Sequence, residues 1–286
     1  MKVGIVGTAA LASTWERRIR TAPSVNQVIT TNKIDQLGDV DACILIDNSK
    51  HRFDKATELV RLGHHLFLVG RTPTAYPQVE QLYRSAEESN VVLQFSMWSA
   101  FSGTSQWMMT NIKRPRFLHI QRELTINAYQ DYQNPFVTLW AEDIGLCLKW
   151  INSSVHRVDA NLTRLSANSA PSIHIFLRFD NGSTAMIFVN TTATRNRHKR
   201  IASGENITVE CNVTEHTLRV GKFSDSGSLF FEKMAMTDTE PADLALAAFL
   251  KSVRMRRPSG YSGYDAVQLV KTIQMISEKI GQWHGS

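Results

Sequence analysis

One stretch of the sequence, residues 40–73, restricts the possible fold more than any other. It contains two short apolar runs, Ala42–Ile46 and Leu66–Val69, each with the length and character of a strand buried on both faces of a parallel sheet. Between them, Phe53–Arg61 repeats apolar residues at helical spacing, and Gly63 follows as a helix-capping glycine would. Strand, helix and strand with short connections predict a right-handed βαβ unit.

Polar residues follow both predicted strands, in the segments 47–51 and 70–73. Neighbouring parallel strands end at the same edge of a sheet, and open α/β sheets bind ligands at that edge. We therefore expect both segments to border one crevice. The expected ligand contacts are Asp47, Asn48, His51, Gly70, Arg71 and Pro73.

The N-terminal segment resembles the start of a dinucleotide-binding unit. A strand, Lys2–Val6, leads into a turn and a helix, where backbone N–H groups and a helix N-terminus can receive a pyrophosphate. Two fingerprint glycines are present and alanine is accepted at the last position. A tight strand-to-helix turn without a ligand explains this segment equally well. The candidate contacts are Gly4, Gly7, Thr8, Ala9 and Ala10.

A second predicted strand, Gln27–Thr31, ends without the acidic residue that usually binds the adenosine ribose. Asn32 and Lys33 follow instead, so Asn32 is the candidate contact and NADP remains open beside NAD. The 8 residues between Thr31 and Val40 are too few for a further helix and strand. The sequence therefore predicts a shortened dinucleotide-binding half.

Composition predicts a globular chain that does not enter a membrane. Of its 286 residues, 43% are hydrophobic and 20% charged, and no apolar run approaches the ~20 residues that span a bilayer. The N-terminus lacks the pattern of a signal peptide. Cysteines 43, 147 and 211 are few and widely spaced, which favours reduced thiols in the cytoplasm over disulfides or a metal site.

The net charge of +6 makes a polyanionic partner conceivable. The densest basic run, Arg195–Arg200, has no interleaved aromatic residues of the kind that stack on bases. We interpret it as a solvated loop, or as an attraction for a small anionic ligand, and expect no nucleic-acid partner.

The pattern changes in the second half of the chain, where strands of period two replace alternating strands and helices. We expect a domain boundary near residues 100–115 and assign domains 1–112 and 113–286. Asp180-Asn181-Gly182 predicts a hairpin with a type I′ turn. A helix is predicted from Pro135 to Asn152, and two more close the chain.

Five segments in order carry a resemblance to a known family. MKVGIVGTAALA resembles IGIIGxGxIA, VDACILIDNSKH resembles VDAVVIATPNxxH, and ATELVRLGHHLFLVGRTPTA resembles AxxALxAGKHVxxEKPxA. LRFDNGSTAMI is similar to LxFxNGAxG, and the tail from residue 248 is similar to FxxAIRxGxPPxxSGxDG. The family is that of glucose–fructose oxidoreductase, inositol dehydrogenase and MocA (Gfo/Idh/MocA).

This resemblance implies a Rossmann-like parallel sheet that binds NAD or NADP. It also implies a C-terminal α+β domain with a large, mostly antiparallel open sheet through which subunits associate into homo-oligomers. The implied activity is NAD(P)-dependent hydride transfer on a small molecule, namely a sugar, a polyol or a related alcohol or ketone.

The catalytic positions depart from the family pattern. The family's EKP lysine falls in Val69–Pro73, where Arg71 is the basic residue, and the family's catalytic histidine falls on Asp143. Arginine can orient an alkoxide but is a poor proton shuttle. Asp143 could act as a base only if burial raised its pKa by several units. The alternative interpretation places Asp143 and Glu142 on an exposed helix face.

Two functional hypotheses follow. The first is an oxidoreductase that uses Arg71 and Asp143 as catalytic residues. The second is a family member that has lost its chemistry and serves as a binding, sensing or assembly protein.

Overall fold

The computed structural model describes residues 1–132, 134–164, 171–224, 226–237 and 239–284. The chain forms two compact units, one of residues 1–101 and 240–270 and one of residues 102–239 and 271–286. The domain boundary at residue 112 stays a prediction. The α-helices are α1 (Ala9–Arg20), α2 (Arg52–Arg61), α3 (Tyr76–Glu88), α4 (Trp98–Phe101), α5 (Gly103–Asn111), α6 (Ile126–Gln130), α7 (Val137–Ile151), α8 (Pro241–Met255) and α9 (Gly263–His284).

The first unit contains a five-stranded parallel sheet in the order β2-β1-β3-β4-β5. This arrangement confirms the predicted Rossmann-like architecture. The strands are β1 (Lys2–Val6), β2 (Gln27–Thr31), β3 (Ala42–Ile46), β4 (His65–Val69) and β5 (Leu93–Phe95).

The unit β3-α2-β4 forms as its hydrophobic pattern predicts. All residues of β3 are buried, and α2 buries Phe53, Ala56 and Leu59 on one face. Gly63 has φ +85°, a left-handed conformation that costs glycine little and ends the helix.

The shortening predicted for the first half of the parallel sheet is also present. Only a short 3-10 helix, Ile34–Gln36, lies between β2 and β3. Within residues 1–132, all of which are described, no strand pairs with the outer side of β2. The sheet therefore ends at β2 on this side.

The second unit contains an eight-stranded sheet in the order β13-β12-β11-β10-β6-β9-β8-β7. Strands β6 and β9 pair in parallel and the other neighbours are antiparallel, which confirms the mostly antiparallel sheet. The strands are β6 (Phe117–Glu123), β7 (Val155–Arg164), β8 (Pro171–Phe179), β9 (Thr184–Asn190), β10 (Arg197–Ser203), β11 (Ile207–Asn212), β12 (Thr217–Phe223) and β13 (Leu229–Ala235).

The predicted hairpin joins β8 to β9, but its type I′ turn is wrong. Gly182 has φ +83°, whereas Asn181 is absent from the residues with positive φ. The N–H of Gly182 donates to the carbonyl of Phe179 at 2.9 Å. The turn is therefore a type I turn followed by a left-handed glycine.

The interpretation of Arg195–Arg200 as a solvated loop is wrong for most of the run. Arg197–Arg200 forms the first half of β10, which lies in the interior of the sheet between β11 and β6. Arg200 is only 3% exposed. The helices α5 and α6 are also absent from the sequence-based prediction.

The three cysteines are free and buried, Cys43 in the first unit and Cys147 and Cys211 in the second. Burial raises the pKa of each thiol, and it does so strongly at Cys43 and Cys147. Among the described residues, no helix is both long enough and apolar enough to cross a membrane.

Candidate functional site

The segments after β3 and β4 meet at one edge of the parallel sheet, as their position in the sequence predicts. The backbone N–H of Arg71 donates to Oδ1 of Asn48 at 2.8 Å. The guanidinium of Arg52 donates to the carbonyl oxygen of Arg71 at 2.6 Å. Both polar groups of the Arg71 backbone are therefore held, while its side chain remains exposed.

Gly70 makes this close approach possible. A Cβ at this position would lie 2.6 Å from the carbonyl oxygen of Asp47 and 3.0 Å from Oδ1 of Asn48, so any side chain would force the two segments apart. The hydroxyl of Ser96 accepts from the Gly70 N–H and donates to the Gly70 carbonyl, both at 3.0 Å. Pro73, three residues after Gly70, is buried.

Asp47 supports the crevice, since its carboxylate is already engaged. Nζ of Lys55 lies 2.7 Å from Oδ2, and the N–H of Ser49 donates to Oδ1 at 2.6 Å. Burial alone would raise the pKa of Asp47, but the hydrogen bonds from Lys55 and Ser49 outweigh it and lower the pKa. His51 is exposed, with Nδ1 3.5 Å from Asp54, and its ring is accessible to a ligand.

The N-terminus of α1 is open to an anion. Thr8 precedes the helix, and its side chain makes no capping hydrogen bond, while the first turn has no acidic residue. Ala9 and Ala10 are exposed, so they leave the first N–H groups of the helix uncovered. A Cβ at Gly7 would lie 3.3 Å from two atoms of Ile46, so the turn packs closely on β3.

Two other predicted ligand contacts, Gly4 and Asn32, lie away from the joined ends of β3 and β4. Gly4 lies inside β1, where a Cβ would overlap the side chain of Leu37, so its glycine serves packing. Asn32 and Lys33 follow β2 and are exposed. The described end of β2 presents no carboxylate, while Thr31 hydrogen-bonds to the Lys33 backbone and to Gln36.

Asp143 lies in the second unit, and the expected exposed helix face is wrong for it. Its side chain is 0% exposed, and Nε and Nη2 of Arg122 both lie 3.0 Å from its Oδ2. Its Oδ1 lies 3.3 Å from Nε2 of His198 and 3.5 Å from Nη2 of Arg200. We call Arg122, Asp143, His198 and Arg200 the buried charge cluster.

Neighbouring cations decide the ionisation of Asp143. Burial disfavours the carboxylate, but the charge of Arg122, with smaller contributions from the charge of Arg200 and from the contact with the His198 ring, holds the pKa of Asp143 well below its usual range. A general base for an alcohol needs a pKa near neutrality. The condition for base catalysis by Asp143 is therefore not met, because its pKa is shifted in the opposite direction.

His198 is neutral at physiological pH. Burial, and then the charge of Arg122, lower its pKa to about 4, against the opposing effect of Asp143. Although Nε2 of His198 and Oδ1 of Asp143 are close, neither atom has a hydrogen-bond partner of good geometry among the described residues. Arg200 is better anchored, since it donates to Oγ of Ser105 at 2.6 Å.

Sequence reasoning missed the basic members of this cluster. His198 and Arg200 alternate along β10 with Arg197 and Lys199, and His198 is paired in register with Arg122 on β6. The alternation of side chains along the basic run, with a period of two, is the sequence signal that could have predicted a strand. The high polarity of the run indicated a loop instead.

Comparison with known proteins identifies the fold. No family model and no curated protein matches the sequence. Among solved structures, UDP-N-acetylglucosamine 3-dehydrogenase GnnA from Acidithiobacillus ferrooxidans has a TM-score of 0.83 at 14% identity, over 98% of this chain and 97% of that one. A dehydrogenase from Chromobacterium violaceum has a TM-score of 0.77 at 15% identity, over 100% and 96%.

A third similar structure is myo-inositol 2-dehydrogenase from Lactobacillus plantarum, with a TM-score of 0.72 at 12% identity over 98% of this chain and 97% of that one. The chain therefore has the fold of the Gfo/Idh/MocA-type dehydrogenases. The resemblance seen in the sequence motifs is confirmed at the level of the fold.

The Asp143→Asn variant should be strongly destabilised, because the buried Arg200 and the half-buried Arg122 would stay in place without a counter-ion. We expect a loss of about 3–5 kcal/mol in the free energy of unfolding, measured with urea. The control is Asp159→Asn, which removes an exposed ion pair with Arg157 and should cost about 1 kcal/mol or less. Equal losses in the two variants would contradict the counter-ion role.

The His198→Gln variant should reduce the sensitivity of stability to acid between pH 6.5 and about 4. The folded pKa of His198 is about 4 and its ordinary value is 6.5, so the unfolded chain binds this proton first as the pH falls. Stability is therefore lost as the pH falls from 6.5 towards 4, and glutamine removes that loss. Urea titrations at several pH values test this, with the exposed His156→Gln as control. An unchanged slope in His198→Gln would refute it.

Proposed function

We propose that the chain is a nucleotide-dependent oxidoreductase of the Gfo/Idh/MocA type, with NAD or NADP bound along the carboxyl edge of the parallel sheet. The observation that carries the proposal is the uncapped N-terminus of α1 beside the joined ends of β3 and β4. A helix N-terminus with free N–H groups attracts a pyrophosphate. The fold shared with dehydrogenases supports the same ligand class.

The residues at this edge fit a dinucleotide. The N–H groups of residues 8–10 would receive the pyrophosphate, while the N–H of Gly7 already donates to the carbonyl of Thr31 at 3.2 Å. Asn32 would contact the adenosine ribose, and segments 47–51 and 70–73 would border the nicotinamide. Lys33 follows the end of β2, which has no ribose-binding acid, and its positive charge suits the extra phosphate of NADP. When bound, the cofactor supplies the hydride donor or acceptor.

Arg71 is the proposed contact for the substrate oxygen. Its backbone is fixed by Asn48 and Arg52, and a guanidinium offers a positive charge and several N–H donors, so Arg71 can stabilise an alkoxide or polarise a carbonyl. Two structures of the same fold are named for UDP-N-acetylglucosamine and myo-inositol. A sugar or polyol is therefore the proposed substrate class.

The second candidate function is a binding or sensing protein without turnover. The buried charge cluster favours it, because Asp143 neutralises Arg122 and Arg200 and is held ionised. An ionised carboxylate with a low pKa does not take up the proton of an alcohol. Nucleotide binding is common to both candidates, and turnover separates them.

Replacing Ala9 by glutamate should weaken nucleotide binding without unfolding the protein. Ala9 is exposed at the start of α1, where a negative charge stabilises the helix but repels a pyrophosphate. We expect the Kd for NADH and NADPH, measured by nicotinamide fluorescence, to rise about tenfold or more. Ala9→Gln is the control, since it has nearly the same shape without the charge.

Absence of saturable NADH and NADPH binding by the unchanged protein would refute both nucleotide-binding candidates. If binding is present, turnover on a panel of sugars and polyols that falls in Arg71→Ala supports the oxidoreductase. Binding without turnover supports the sensing protein.

We also propose that a second copy of the chain covers part of the eight-stranded sheet. His174, Phe176 and Arg178 alternate along β8 with buried Ile175 and Leu177, so one face of this strand points to solvent. Phe176 is 39% exposed. Light scattering should give the mass of a homo-oligomer, and Phe176→Asp should lower it, whereas Asn127→Asp on α6 should not. A monomeric unchanged protein would refute the proposal.

A further inference from the structure

A cavity of about 330 Å³ lies in the first unit, at the amino-terminal edge of the parallel sheet. His65, the first residue of β4, and Leu93, the first residue of β5, both line it. The proposed nucleotide crevice lies at the carboxyl end of the same sheet. A five-residue strand separates its two ends by about 13 Å, so this cavity is a different site.

Two arginines give the cavity a positive charge. Arg256 and Arg257 line it, and neither side chain forms an ion pair with a carboxylate within the described ranges. Glu87 is an acidic lining residue beside Tyr83. Nδ1 of His65 accepts the N–H of Val92 at 2.8 Å, and burial, then the charge of Arg256, lower the pKa of this ring. The formal charge of the lining is therefore +2 from the arginines and −1 from Glu87, which leaves +1.

The backbone at Arg256 is unusual for a residue with a side chain. Arg256 has φ +48° directly after α8, a left-handed conformation at the position where helices most often have glycine. The N–H of Arg257 donates to the carbonyl of Ser252 at 3.1 Å, which fixes this helix end. A strained position occupied by a long charged side chain is a recognised pointer to function.

The remaining walls suit the body of an organic ligand. The rings of Tyr83 and Tyr264 meet edge to face with centroids 6.5 Å apart, and both rings line the cavity. Val91 and Pro258 add apolar surface. The lining therefore combines two arginines with aromatic and apolar residues, which is the composition of a small-molecule pocket.

We propose that this cavity binds a small organic phosphate. Its phosphoryl group lies against the guanidinium groups of Arg256 and Arg257, and its body lies against Tyr83 and Tyr264. Arginine suits this group because its planar fork of N–H donors matches phosphate oxygens in pairs. Two guanidinium groups also match the double charge of a phosphate monoester.

Isothermal titration of the full chain with phenyl phosphate tests the proposal. We expect saturable binding that is tighter than that of inorganic phosphate and of benzoate, and no binding of phenol. Arg256→Gly and Arg257→Gln should each weaken binding of phenyl phosphate about tenfold or more, because each removes charged hydrogen bonds to the phosphoryl group.

Arg254→Gln is the matched control. Arg254 is an exposed arginine near the end of α8 that does not line the cavity, so its removal should leave the affinity unchanged. Arg256→Gly should also leave the thermal midpoint of the ligand-free protein unchanged or raised, since glycine accepts the positive φ. Weaker binding in this variant then cannot be attributed to misfolding.

No saturable signal up to about 10 mM phenyl phosphate would overturn the proposal, since binding weaker than that is negligible. Equal weakening in Arg254→Gln, or benzoate binding as tightly as phenyl phosphate, would also overturn it. Ala9→Glu should leave phenyl phosphate binding unchanged, so failure here and failure of the nucleotide proposal are independent results. Loss of phenyl phosphate binding in Ala9→Glu would place the ligand at α1 instead and would also overturn the proposal.

Discussion

The parallel pairing of β3 with β4 is the constraint on which the candidate crevice depends. It brings residues 47–51 and 70–73 to one edge, and the side chain of Asn48 then joins the two segments through the Arg71 backbone. Gly70 is required there because backbone atoms occupy the space of a side chain. The exposed guanidinium of Arg71 is thus presented from a rigid base, although it lies in a loop.

The buried charge cluster sets a different constraint in the second unit. A carboxylate with three basic neighbours is stable in the interior only when ionised, so the same contacts that hold α7 on the sheet remove Asp143 from acid–base chemistry. Asp143, which the sequence resemblance aligns with the family's catalytic histidine, therefore has a structural role in this chain. A shared fold does not carry the chemistry with it, because function resides in the site.

The sequence was informative where local pattern and tertiary environment agree. The run Ala42–Ile46 is buried on both faces, so five apolar residues identify the strand, and the tips of β3 and β4 meet because parallel strands leave no alternative. The local sequence pattern gave a wrong prediction where the burial of a residue depends on partners far away in the chain. Arg200 is buried because Asp143 and Ser105, far away in the chain, receive its charge. The predicted turn type at Asn181 was wrong for a local reason, since Asn-Gly is compatible with more than one turn type.

The buried thiols provide each unit with an internal reporter of opening. Cys43 is in the middle of the parallel sheet and Cys147 in α7, and both are inert while folded because burial suppresses the thiolate that reacts. A thiol reagent can therefore reach them only when the surrounding structure opens. The rates of labelling at the two cysteines would compare how often each unit opens, without any engineered probe.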